Sequence, residues 1–210
     1  MASLGLLLAV SGSMMGCAHV TVFVATDAPD TSASDAPESH ASHTADPSAS
    51  VTADPSGSSP LTRYHSSTGR FSVDVTGVFK EIIKTADNPN LGPIEVHYFV
   101  VSPEGGPRYA VVYGDYPTHY VESTALDVIY SEARAADVAA AMGRLVDSRS
   151  RTLAGHPADE HVVDGNTGFQ RFVTILVGDR AYSLAVRGTE DQVRSAEADR
   201  FIESFTLDPS

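Results

Sequence analysis

Phe71, Val73 and Val75 alternate with Ser72, Asp74 and Thr76, a period of two that predicts a half-buried strand. Ile94, Val96, Tyr98 and Val100 repeat the pattern, and a third strand is expected from Tyr109 to Tyr116. Between the latter two, Pro103-Glu104-Gly105-Gly106-Pro107 has the composition of a turn. Over residues 124–142 the spacing changes to three and four, with Leu126, Ile129, Ala133, Ala136 and Ala140 in register. That spacing predicts a helix with Ser123 or Thr124 as N-cap and Gly143 at its end. The alanines make a thin stripe that lets it lie close to a sheet.

Strands return at 144–153 and 158–164, split by Gly155-His156-Pro157, and again at Phe169–Val177 and Ala181–Arg187. Gly178-Asp179 between the last two has glycine first, as a type II′ hairpin wants. Closing that hairpin sets Ile175 opposite Tyr182, Val173 opposite Leu184 and Arg171 opposite Val186. This bulky face must be core. The other face pairs Leu176 with Ala181, Thr174 with Ser183 and Phe172 with Ala185, so it is either solvated or covered by a closely packed helix. A last helix is expected from Asp191 to Phe205, with Val193, Ala196, Phe201 and Phe205 as its stripe and Thr189 or Asp191 as its cap. Strands that come in runs indicate an α+β domain: an antiparallel sheet of about six to seven strands with helices packed on it.

These patterns begin near residue 61. Residues 26–60 are almost wholly Thr, Asp, Ala, Pro, Ser and His, and TADPS recurs at 44–48 and 52–56. Such a composition buries too little apolar surface to offset ordering entropy. Residues 17–60 are therefore expected to be an acidic tether, whose 26–60 part spans about 30–35 Å on average. His40 and His43 within it are read as solvated. The single folded domain is expected at 61–210.

Charge narrows the partners. The chain carries 14 basic and 27 acidic residues, a net −13. Six of the acids and no base fall in 18–60. Such a balance disfavours nucleic acid and anionic lipid head groups.

Ahead of the tether, Leu4, Leu6, Leu7, Leu8, Ala9 and Val10 form an apolar run followed by small residues. Its length suits a signal peptide over 1–16 and falls short of the roughly 20 apolar residues that span a bilayer. Cys17, the one thiol in the chain, follows Gly16 directly. That order resembles the bacterial lipobox, in which the cysteine is acylated and the chain is cut before it. Met14 and Met15 stand where a lipobox usually has Leu and a small residue, and no Lys or Arg precedes Arg63. The competing reading is a free cysteine in a plain secretion signal, a liability in an oxidising compartment. Lipidation at Cys17 is the expectation, which places the protein in the cell envelope, outside the cytoplasm.

The segment Leu153-Ala154-Gly155-His156-Pro157-Ala158, the stretch from Val177 to Gly188 and the terminal Phe201-Ile202-Glu203-Ser204-Phe205-Thr206-Leu207 together carry a resemblance. They resemble bacterial lipoproteins and secreted domains of the PsbP-like fold. The resemblance covers about residues 64–208. It implies a three-layer α/β/α sandwich and a protein that binds other macromolecules instead of catalysing. It implies no particular site residue.

Direct signs of chemistry are sparse. His156-Pro157-Ala158-Asp159-Glu160-His161 is the densest polar cluster, but its histidines are five apart on an expected strand. They then point to opposite faces, unlike a zinc pair at helical spacing, and a turn followed by a solvated strand face is expected. Glu95 and His97 share a strand face and suit acid–base work or a cross-strand polar pair, with no third group evident to orient the imidazole. Asp115, His119 and Glu122 surround Tyr116-Pro117 in an expected solvated turn. The chain contains no GxSxG, GxxxxGK or GxGxxG run. No cofactor, metal or catalytic residue is assigned. The expectation is a non-catalytic module binding another envelope protein, against a hydrolase or metal-dependent enzyme, or a small-molecule carrier.

Overall fold

The computed structural model describes residues 61–88 and 91–209. The apolar run, Cys17 and the acidic segment up to residue 60 lie outside the described residues. Five strands come first: β1 (Thr62–Ser66), β2 (Phe71–Val75), β3 (Lys80–Asn88), β4 (Gly92–Val101) and β5 (Arg108–Asp115). Helices α1 (Thr118–Ser123) and α2 (Leu126–Ala140) follow. Then come β6 (Arg144–Leu153), β7 (His156–Gly165), β8 (Gly168–Val177) and β9 (Arg180–Gly188). Helices α3 (Glu190–Val193) and α4 (Ala196–Glu203) and the short β10 (Thr206–Leu207) close the chain.

The main sheet has seven antiparallel strands in the order β3-β4-β5-β9-β8-β7-β6. A second sheet of three strands runs β1-β2-β10. The α+β class follows, with Phe71–Val75 placed in the small sheet. Two cores lie on opposite faces of the main sheet. One joins Phe99, Val173, Ile175 and Leu184 to Phe71, Phe201, Ile202 and Phe205, so the small sheet, α3 and α4 cover that face. The other joins Val96, Val112, Phe172 and Ala185 to Tyr120 and Ile129 of α1 and α2. Helix on sheet on mixed layer is the architecture.

The register of β8 with β9 is the expected one, Ile175 to Tyr182 and Val173 to Leu184. The less bulky face of that hairpin is covered by a helix, since Phe172 and Ala185 join the core with Ile129. Helix boundaries depart more. Ser123 ends α1, and Ala125 is the N-cap of α2, with no side-chain cap bond. At its other end Met142, not Gly143, takes the left-handed conformation with φ 46°. Gly143 N–H donates to Val138 O and Met142 N–H to Ala139 O, a Schellman closure. Glycine is needed at 143 for another reason: a side chain there would run into the Asp164 carbonyl.

The terminal helix is two helices. Ser195 accepts from Ala198 N–H and starts α4, while Thr189 and Gln192 form a capping box on α3. A serine that caps interrupts the run it was expected to sit inside. The expected Val193, Phe201 and Phe205 are buried, but the break leaves Ala196 exposed and buries Ala198 and Ile202 in its place.

Candidate functional site

The polar run on β7 is not solvated. Asp159, Glu160 and His161 are 4%, 5% and 1% exposed, so the sequence expectation of a solvated face is overturned. Alternation sends Asp159 and His161 under α2 and Glu160 under α3 and α4. A buried charge must be paired, and these are.

Under α2, Arg134 donates from Nη2 to Asp159 Oδ1 at 2.6 Å and from Nε to Oδ2 at 3.3 Å. Asp159 Oδ2 lies 3.0 Å from His161 Nδ1. His161 Nε2 sits 3.2 Å from Asp137 Oδ2, yet its N–H is not aligned on that oxygen; this is a charge contact without a hydrogen bond. Burial pushes the imidazole toward neutrality, but Asp137 and Asp159 outweigh it and raise its pKa. Asp159 is opposed by burial in the same way, and His161 and Arg134 lower it. The two carboxylates thus favour the protonated form of this buried ring. Tyr130, Arg134 and Asp137 recur at i, i+4 and i+7, which makes α2 carry a polar seam beside its apolar stripe. Tyr130 Oη donates to Pro157 O at 2.6 Å on the same seam. That spacing was visible in the sequence and was the signal that the apolar stripe masked.

On the opposite face Glu160 accepts from three arginines. Arg149 Nη2 and Arg171 Nε reach Oε1 at 2.8 and 2.9 Å, and Arg151 Nη1 reaches Oε2 at 2.9 Å. Arg171 also donates to Asp199 Oδ1 at 2.7 Å and Val193 O at 3.2 Å. Burial raises Glu160, but Arg151, Arg171 and Arg149 together hold it below the ordinary carboxylate range. A cleft of about 170 Å³ opens here, with Asp147 and Arg194 on its wall.

His97 has the third group that the sequence did not disclose. Its Nε2 lies 2.9 Å from Glu95 Oε1 and its Nδ1 3.2 Å from Glu81 Oε1 on β3. The ring stacks on Tyr113 at 4.5 Å, and Arg180 lies 4.6 Å from the same tyrosine ring. Both imidazole nitrogens are engaged, which suits a fixed polar pillar. Asp115 is held by Arg180 through bonds of 2.5 and 2.7 Å. His119 and Glu122 stay exposed on α1, so the three loop residues do not converge.

The roomiest of these openings is elsewhere. A cleft of about 450 Å³ lies at the turn ends of β6–β7 and β8–β9, walled by Val177, Tyr182, Leu207, His156, Arg70 and Arg180. Arg70, in the β1–β2 turn, has φ 53°, and Ala154, also on the wall, has φ 49°. Among the described residues, two of the three non-glycine positions at positive φ thus border one cleft. The turn bearing Arg70 is tied down from several sides. Tyr182 Oη donates to Gly69 O at 2.8 Å, Arg180 Nη1 to Thr68 O at 2.9 Å, and Asp208 N–H to Arg70 O at 3.0 Å. No described residue forms a hydrogen bond or ion pair with the Arg70 guanidinium, which is exposed.

Beneath α2 a separate gap of about 30 Å³ borders Asp137, Thr174 and Ser183. No group of three or more His, Cys, Asp or Glu among the described residues is arranged to hold a metal ion. No described helix is long and apolar enough to cross a membrane.

No protein-family model matches the chain, and no curated protein matches it in sequence. Solved structures do. The solution structure of cyanobacterial PsbP (CyanoP) from Synechocystis sp. PCC 6803 is 14% identical, with a TM-score of 0.49, covering 74% of this chain and 97% of its own. A protein of unknown function from Pseudomonas aeruginosa, PA94, is 11% identical with a TM-score of 0.39, covering 71% of this chain and 99% of its own. Function has to be read from this chain's own side chains.

Proposed function

We propose that this is a cell-envelope protein that acts by binding. Residues 1–16 direct export, Cys17 is acylated and holds the chain on a bacterial membrane, and residues 17–60 tether the domain 61–210. The domain docks another envelope protein and catalyses nothing. One contrast supports this most: Asp159, Glu160 and His161, the densest acid–base cluster, are locked in ion pairs within the fold, while the broad cleft at Arg70 offers an unpaired cation beside apolar walls.

An enzyme would have to work in the narrower cleft, where Glu160, Arg171 and Asp199 converge. Glu160 is held ionised there by three arginines, which makes it a poor acceptor of a proton at neutral pH. A carrier hiding its cargo beneath the sheet has room in the gap under α2 for only about one or two water molecules.

The test combines anchor and partner. A photoreactive residue replaces His156 in the full chain inside cells of the native host, with and without Cys17→Ser. A discrete protein adduct from the membrane fraction, lost together with the anchor, is expected. A Cys17→Ser chain that stays in the membrane fraction sinks the anchor, and no adduct from the cleft sinks the docking role.

A further inference from the structure

The geometry points to a carboxylate site: we infer that the Arg70 cleft takes a ligand with a carboxylate on a compact apolar body. The inference rests on reading this cleft as the binding face. Its first support is the arginine itself. A guanidinium is a planar fork that matches a carboxylate with two parallel hydrogen bonds. Arg180 shows the fork filled, since Asp115 takes its Nε and Nη2. Arg70 shows the same fork open, because no described residue accepts from it.

The second support is the backbone. A left-handed conformation is costly for arginine and free for glycine, and such outliers gather at ligand clamps. Tyr182, Arg180 and Asp208 hold the turn, so the backbone from which Arg70 projects is fixed. A structural role would have been served better by glycine. The strain makes sense if the side chain at 70 is wanted.

The third support is the wall. Val177, Leu207 and the Tyr182 ring supply apolar surface, and about 450 Å³ suits a small organic body or one or two residues of a peptide end. His156 adds a second nitrogen that can donate. The one carboxylate on the wall, Asp208, has its Oδ2 turned to His65 Nε2 at 3.1 Å. Two sources share this chemistry, a free organic acid and the C-terminus of a partner chain.

The full-length chain carrying Cys17→Ser is titrated with 3-phenylpropionate, with N-acetyl-Ala-Ala-Phe, with the amides of both, and with inorganic phosphate. Amide NMR shifts at Ala154, Val177 and Leu207 are the readout. The acids should move these signals saturably and their amides should not. Arg70→Gly should weaken binding at least tenfold while its melting temperature stays level or rises, which separates a lost ligand contact from a damaged fold. Binding of the peptide acid alone assigns the site to a partner's C-terminus, and of 3-phenylpropionate alone to a small organic acid; either supports the site. Equal binding of amides, preference for phosphate, wild-type affinity in Arg70→Gly, or no binding at all overturns it. A partner adduct that forms without any carboxylate binding would sink this inference and leave the docking role standing.

Discussion

Arginine is treated in two ways within this domain. Arg171 is 4% exposed, and its guanidinium is shared between Glu160 and Asp199. Arg70 stands exposed on a strained turn with no described partner. The first is held where the fold is most tightly built, because a buried charge without a partner costs several kcal/mol. The second is held where glycine would be the easier residue. A paired arginine in a core reports on architecture. An unpaired one on a strained turn asks what it was kept for.

Removing the shared acceptor should give the largest effect. Glu160→Ala leaves the buried Arg171 with Asp199 as its one carboxylate and the Val193 carbonyl, and strips Arg149 and Arg151 of their bonds to Glu160. A loss of about 3–5 kcal/mol is expected, read as a shift of the urea midpoint. Replacing Glu160 and Arg171 together by Met and Leu should cost much less than the sum of the two single changes. A Glu160→Ala midpoint within about 1 kcal/mol of wild type would make this cluster a surface ornament, and the contrast with Arg70 would collapse.

The acid dependence is the next largest. Asp159 and Glu160 have lowered pKa values in the fold, so their contribution is present above their ordinary values of 3.8 and 4.5 and is lost as pH falls below them. His161 is raised, so its contribution is complete below its ordinary 6.5 and is lost as pH climbs through the folded value. Arg134 and Asp137 face it from α2 and Asp159 from its own strand; the β8 neighbour Phe172 is uncharged. Thermal stability should therefore peak between about pH 4.5 and 6.5 and decline on both sides. In His161→Asn the decline above pH 6.5 should vanish while the acid limb stays. An unchanged upper limb would mean that the imidazole is neutral in the fold.

What the sequence disclosed follows from which signals are local. The β8–β9 register could be read because Gly178-Asp179 fixes it, and Gly178 does have positive φ, 59°. The edge strand β3 was missed because KEIIKTADN mixes charges with exposed Ile83 and shows no clean alternation. The small sheet was missed for a different reason: β10 is two residues long, and its pairing with β2 spans most of the domain. The site was read least well. Asp159, Glu160 and His161 look like a solvated run, because their partners come from α2, β6 and β8. Cleft and strain are properties of the assembled backbone. Nothing around Ser67-Thr68-Gly69-Arg70 marks position 70 as left-handed, since the neighbouring glycine is the residue expected to take that conformation.

The smallest expected effect is the most telling one for the comparison. Arg70 has no described bond to lose, and φ 53° suits glycine. Arg70→Gly relieves backbone strain but adds freedom to the unfolded chain, and the two oppose each other. The net change in stability should lie between zero and about 1 kcal/mol in favour of the variant. Arg70→Ala removes the same side chain and keeps the strain, so it should sit at or below wild type. Differential scanning calorimetry of the three chains orders them. If Arg70→Gly instead unfolds several degrees early, the guanidinium is holding the β1–β2 turn against the domain. Arg70 would then belong with Arg171 among the structural cations, and the reason to see a ligand site in the cleft would be gone.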